Sequence, residues 1–246
     1  MPAALAQRIH QHLHTVAALR AARAADAGLA VGVLALKTYQ STRFARTYSD
    51  LLADPRYQAA TRFFLEELYG PQEFAARDAQ FGRVVPALVR LFPHEVVATV
   101  EQLGELHALS ETLDDAGARH LQLQPGSAGP VDAMAYVRAW QAVGRQDARE
   151  RQIALTLTIG QALDGFTRSR VLRTSLRMMR APARAAGLSA LQRFLEAGFE
   201  AFAAMRGAAP FLDTVGARER ALAAALFDPQ ALRNLDLGTA PLNQLP

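Results

Sequence analysis

The sequence predicts an all-α domain. Three observations carry that prediction. Apolar residues recur at helical spacing along nearly the whole chain. Most Gly and Pro residues fall between those periodic stretches. No segment shows the period-two alternation and turn chemistry of a sheet. At 246 residues, half of them apolar and a fifth charged, the chain is long enough for a substantial core and too apolar for a disordered one. We expect a single domain, an irregular bundle of roughly eight to ten helices.

The elements follow in order. Ala3–Ala25 carries Leu5, Ile9, Leu13, Val16 and Leu19 at helical spacing. We read residues 1–28 as an N-terminal helix, loosely packed on a main domain of residues 29–227. Gly28 and Gly32 loosen the start of a second helix that runs through Tyr39, Phe44 and Tyr48. Asp54-Pro55 has the form of a helix start, an N-cap followed by a first-turn proline. Gly70-Pro71 stops that helix. Asp78 is placed to cap the next one, in which Pro86 predicts a kink or break.

A strong helix follows from His94 to about Asp115, and then a loop-like stretch, LQPGSAGP, over 123–130. Asp132 and Gly144 bracket a helix with Val137 and Trp140, and Asp147 and Glu150 have capping-box spacing for the next. The pattern breaks near Gly165 and again at Pro182. Ser189 opens a helix rich in phenylalanine, and the last helix covers roughly 212–227. Residues 228–246 read as an irregular tail. The core is expected from 57–68, 81–92 and 96–113, with Phe194, Phe199 and Phe202 packed against them.

Composition excludes several classes. There is no cysteine, hence no disulfide, thiolate metal site or cysteine nucleophile. The longest apolar run, Ala27–Leu36, is far shorter than a membrane span. No signal peptide is read at the N-terminus. The net charge is +4, and Lys37 is the only lysine, so every other basic side chain that is always charged is an arginine. The charge is segregated. From Asp54 to Asp115 there are eleven acids against five arginines, whereas Gly165 to Leu195 holds seven arginines and no acid. Two such segments can pack on each other or on another copy of the chain.

Four constellations stand out. His107, Glu111 and Asp114 share one helix face and continue the apolar line of Val96, Val100 and Leu103. A histidine with two carboxylates is a candidate iron or manganese site or acid/base pair, and the histidine alone a candidate haem ligand. Arg170, Arg173, Arg177, Arg180 and Arg184 form an arginine stripe. Such a stripe suits an acidic protein, a phosphorylated ligand, an anionic membrane surface or nucleic acid, although no nucleic-acid motif accompanies it. Tyr69, Arg77 and Asp78 surround a short helix connection that can anchor an anion. Tyr39 and Arg43 share a face and form a candidate pocket pair.

The segments FFLEELYGP, RDAQFGRVVP and ELHALSETLD, with RERQIALTLTIGQALDGF later in the chain, resemble a family of uncharacterised all-helical proteobacterial proteins. The resemblance implies one bacterial cytoplasmic domain and no catalytic residue. No phosphate-binding loop, dinucleotide fingerprint, nucleophile elbow, zinc-protease helix, calcium loop or kinase set is present. The reading therefore leans away from an enzyme. It favours a non-catalytic binding or interaction module with an arginine-rich face. A metal- or haem-dependent enzyme built on the His107 face and a homo-oligomeric structural protein are the alternatives.

Overall fold

The architecture is organised around one long helix. A computed structural model describes residues 2–68, 75–122 and 131–246. Among them α6 (His94–Gln122) is the axis, and it packs against α1 (Pro2–Ala25), α2 (Ala27–Thr47), α5 (Ala75–Leu91), α7 (Ala133–Val143) and α8 (Gln146–Thr167). An outer layer closes over it. There α11 (Ser189–Met205) packs on α5, α8 and α4 (Gln58–Phe63, continued by a π turn at Phe64–Leu68), and α12 (Ala209–Phe227) packs on α7 and α8. Short helices α3 (Ser49–Ala53), α9 (Arg170–Met178), α10 (Arg180–Ala185) and α13 (Ala231–Asp236) fill the connections. The described residues hold no strand, and the chain forms a single all-α domain. No described helix is long and apolar enough to cross a membrane.

Local chemistry explains several boundaries. The Asp26 carboxylate accepts from the Leu29 N–H at 2.9 Å and caps α2, and Asp132 caps α7 by accepting from Ala135 N–H at 2.7 Å. Gly144 closes α7 with a φ of 63°, where an L side chain would be strained. Other expectations need correction. Asp54 caps a turn rather than a helix: its carboxylate accepts from Arg56 N–H, and α4 begins only at Gln58. The capping box at Asp147 does not form, because α8 starts at Gln146 and Glu150 pairs with Arg220 instead. Pro86 does not break α5. Its ring would crowd the carbonyl four residues back, where Gly82 stands, and the helix continues.

The two ends of the chain are better packed than their sequence suggests. Leu5, Ile9, Val16 and even Arg23 of α1 are buried, so this helix is part of the core and not a loose appendage. In the tail, α13 and a 3-10 turn at Leu242–Gln244 bury Ala231, Leu242 and Leu245 against Tyr136 and Leu226. The largest cluster joins Phe44, Tyr48, Phe63, Phe64, Phe194, Phe202 and Phe211. Burying one such ring fully contributes about 1.5–3 kcal/mol. This core draws on α2 and α12 more than expected. Phe199 is only half-buried and Phe92 is exposed.

Candidate functional site

A face of α6 runs along a cavity of about 150 Å³. Val100, Leu103, Gly104, His107, Ser110, Glu111 and Asp114 line it at three- and four-residue spacing. At 1.5 Å per residue the lined stretch of helix spans about 21 Å. The two ends differ. Beside Val100 the wall is apolar, with Leu13 and Phe81 from α1 and α5. Beside Asp114 it is polar, with Lys37, Gln40 and Arg43 from α2, Tyr136 and Trp140 from α7, Arg149, Gln152 and Thr156 from α8, and Glu219 from α12.

The polar groups are held by one another. Glu111 receives Lys37 Nζ at 2.5 Å, and Arg23 Nη1 on its other oxygen at 2.5 Å. Arg23 also reaches Asp115, and burial, which would lower its pKa, is outweighed by these two carboxylates. Burial pushes the Glu111 carboxyl up, but Lys37 and Arg23 outweigh it and hold the group below its ordinary range. Arg43 donates to Glu219 at 2.5 Å, and Tyr48 donates to the same oxygen at 2.8 Å. Gln152 donates to Ser110 Oγ at 2.7 Å. Arg149 donates to Gln152 Oε1 at 3.1 Å and lies over the Trp140 ring. Such stacking is a role that lysine fills poorly.

Asp114 is different. It lies almost wholly inside and accepts from Gln40 Nε2 at 3.0 Å, yet it forms no ion pair. Burial lifts its carboxyl above the ordinary range, against the nearby charges of Lys37 and Arg149. Other buried donors in the same wall are also unspent. Arg43 Nε is buried and completes no hydrogen bond, and the buried Tyr136 hydroxyl and Trp140 indole nitrogen have no partner beyond one another. Buried polar atoms without partners are rare and costly in folded proteins.

The structure thus brings together residues that the sequence presents as separate constellations. His107, Glu111, Asp114, Arg43, Arg77 and Asp78 all line the one cavity. Their roles differ from expectation. Asp78 does not cap α5; its Oδ2 accepts from Arg20 at 2.7 Å and lies 2.9 Å from His107 Nε2. Arg77 binds the Glu67 carbonyl and lies over the Phe194 ring, which ties the end of α4 to α5. Tyr39 does not line the cavity and packs on Tyr136, with ring centroids 4.7 Å apart. Tyr69 lies outside the described residues, as do the Gly70-Pro71 stop and the 123–130 loop. His107, Glu111 and Asp114 do not converge as metal ligands. Each is engaged by a different partner, and no described group of three or more His, Asp or Glu side chains is arranged to hold a metal ion.

The arginine stripe is divided. A helix break at Met179 separates Arg170, Arg173 and Arg177 from Arg180 and Arg184. Arg173, Arg177 and Arg180 line a surface groove with Arg206, over Phe199 of α11. Arg180 is paired there with Glu196 at 2.6 Å, one residue beyond the acid-free segment. Arg170 and Arg184 stand exposed outside this groove. The acidic segment is not their partner. Glu101, Asp78, Glu111 and Glu105 pair instead with Arg8, Arg20, Arg23, Lys37 and Arg151. Much of the acidic segment is therefore paired within the chain, whereas among the described residues no ion pair joins Arg170, Arg173, Arg177 or Arg184 to a carboxylate.

Lys37, Gln40, Tyr136, Arg149, Gln152 and Glu219 are the residues that sequence reasoning passed over. Two signals mark them. Lys37 is the only lysine, and Arg149, Gln152 and Thr156 repeat at helical spacing on the same inward side of α8 as Leu155 and Ile159.

A family model described as Domain of unknown function (DUF8198) matches residues 19–232. The chain belongs to this family. The DUF8198 match takes in every cavity residue except Leu13. No curated protein and no solved structure matches the chain.

Proposed function

We propose that this DUF8198 protein is a non-catalytic binding protein that holds a small molecule in the α6 cavity, and that it works in a bacterial cytoplasm. One observation carries the reading: the polar end of the cavity presents unspent buried groups, Asp114 on one side and Arg43 Nε and the Tyr136 hydroxyl on the other. A ligand that supplies their partners would recover the cost of burying them. A volume near 150 Å³ accepts a molecule about the size of one aromatic ring. The absence of cysteine and the near-absence of lysine support the bacterial cytoplasmic setting. Thermal-shift screening of single-ring fragments is expected to find stabilising ligands. Ala223→Leu, which narrows the wall, is expected to remove the shift without unfolding the protein. A screen without any stabilising fragment, together with native mass spectrometry that finds no bound small molecule, overturns the reading.

A second reading rests on the groove between α9 and α11. Three stripe arginines and Arg206 line it, with Glu196 and Glu200 as its acids. This supports a site for an anionic partner, an acidic protein or a phosphorylated ligand, because arginine forks suit carboxylate and phosphate. Replacing Arg173 and Arg177 by Glu is expected to abolish capture of an acidic or phosphorylated peptide. Unchanged capture by a folded double variant overturns this reading.

A further inference from the structure

Resting on the cavity reading above, we infer that the ligand is an uncharged ring compound whose head group carries a hydrogen-bond donor and an acceptor together, as a carboxamide does. Charge sets the first limit. The cavity wall carries four permanent cations, Lys37, Arg43, Arg77 and Arg149, and four carboxylates, Asp78, Glu111, Asp114 and Glu219. A charged ligand would lose its hydration against a wall whose fixed charges are already largely paired. Three of the carboxylates already have a cation within hydrogen-bond distance.

Hydrogen-bond direction sets the second limit. Arg43 Nε can only donate, and the Tyr136 hydroxyl, with the Trp140 indole N–H on its oxygen side, is left to donate as well. They call for an acceptor on the ligand. Asp114 accepts from Gln40 on Oδ1, and its other carboxyl oxygen calls for a donor. One amide group presents both within a single plane. The wall sets the third limit. Leu103, Ile153 and Leu222 accompany the polar cluster, and the cavity turns apolar toward Phe81 and Val100. A ring or short hydrocarbon body attached to the head lies on that side.

The test uses four probes of nearly equal shape: benzamide, benzoate, benzylamine and toluene. Their affinities are measured by calorimetry at neutral pH on the full chain. Benzamide is expected to bind at least about tenfold tighter than the other three. Tyr136→Phe is expected to weaken benzamide about five- to tenfold, the size of one hydrogen bond, and to leave toluene unchanged. Asp114→Leu, which removes the acceptor, is expected to weaken benzamide about five- to tenfold and to leave toluene unchanged. Tightest binding of benzoate or benzylamine, or of toluene with no effect of Tyr136→Phe, overturns the inference and leaves the cavity reading standing. No binding of any probe overturns the inference. If the wider fragment screen is also empty, the cavity reading falls with it.

Discussion

His107 Nε2 lies 2.9 Å from Asp78 Oδ2, and Arg20 donates to that same oxygen at 2.7 Å. This one carboxylate joins α1, α5 and α6 beside the cavity. Burial pushes its pKa up, but His107 and Arg20 outweigh burial and hold it below the ordinary value of 3.8. A carboxyl with a depressed folded-state pKa stabilises the fold above its unfolded pKa, and that contribution is lost as pH falls through the folded value.

Asp78→Asn is therefore expected to cost about 1–3 kcal/mol at neutral pH, because two donors lose a charged acceptor. The gap between wild type and variant should narrow as pH falls below about 4, where the wild-type carboxyl begins to take up its proton. Urea unfolding at several pH values measures both. A gap that stays constant from pH 7 to pH 2.5 would show that the charge of Asp78 contributes nothing.

Glu111 binds Lys37 and Arg23 at once, with all three side chains mostly buried. Removing one member of such a cluster leaves the others desolvated without a partner. Glu111→Ala is expected to cost about 3–5 kcal/mol. Replacing the pair together, Glu111→Leu with Lys37→Met, should cost less than Glu111→Ala alone, since Arg23 retains Asp115. Chemical denaturation of the three proteins decides it. A double variant less stable than Glu111→Ala would contradict the desolvation argument.

Helix periodicity made the fold legible, since it reports which face of each segment is apolar. The caps at Asp132 and Gly144 were legible for the same local reason. The site was legible only in pieces. Glu111 and Asp114 announce themselves as polar residues on an apolar stripe, but their partners sit on other helices. Gln40 is 74 positions from Asp114, and Glu219 is 176 from Arg43. No local pattern encodes such pairings. The stripe from Arg170 to Arg184 misled for a related reason. A helical projection assumes a straight helix, and the break at Met179 divides it.

Asp114 carries the opposite pH signature to Asp78. Its pKa is raised, chiefly by burial, so its ionisation opposes folding. Stability supplied by this site falls as pH rises from the unfolded pKa through the folded one. Asp114→Asn retains an acceptor for Gln40 and removes the buried charge. The variant is expected to have a higher urea midpoint than wild type at pH 7, with the gain shrinking toward pH 3.5. A lower midpoint at pH 7 would mean that Lys37 and Arg149 depend on this carboxylate more than burial penalises it.

The same substitution at two glycines is expected to act in opposite directions. Gly198 of α11 lies against Phe63, and a Cβ there would sit 2.9 Å from the ring's Cζ. That ring packs on Phe64 and Phe194 and has little room to move. Gly198→Ala is expected to destabilise by about 1–2 kcal/mol, as the overpacking exceeds the gain in helix propensity. Gly165, in the last turn of α8, has no atom within 4 Å of the position its Cβ would take. There only the propensity term acts, so Gly165→Ala is expected to stabilise by up to about 1 kcal/mol. Thermal melts of the two variants check the pair. If both raise the melting temperature, α11 approaches Phe63 less closely than the present packing requires.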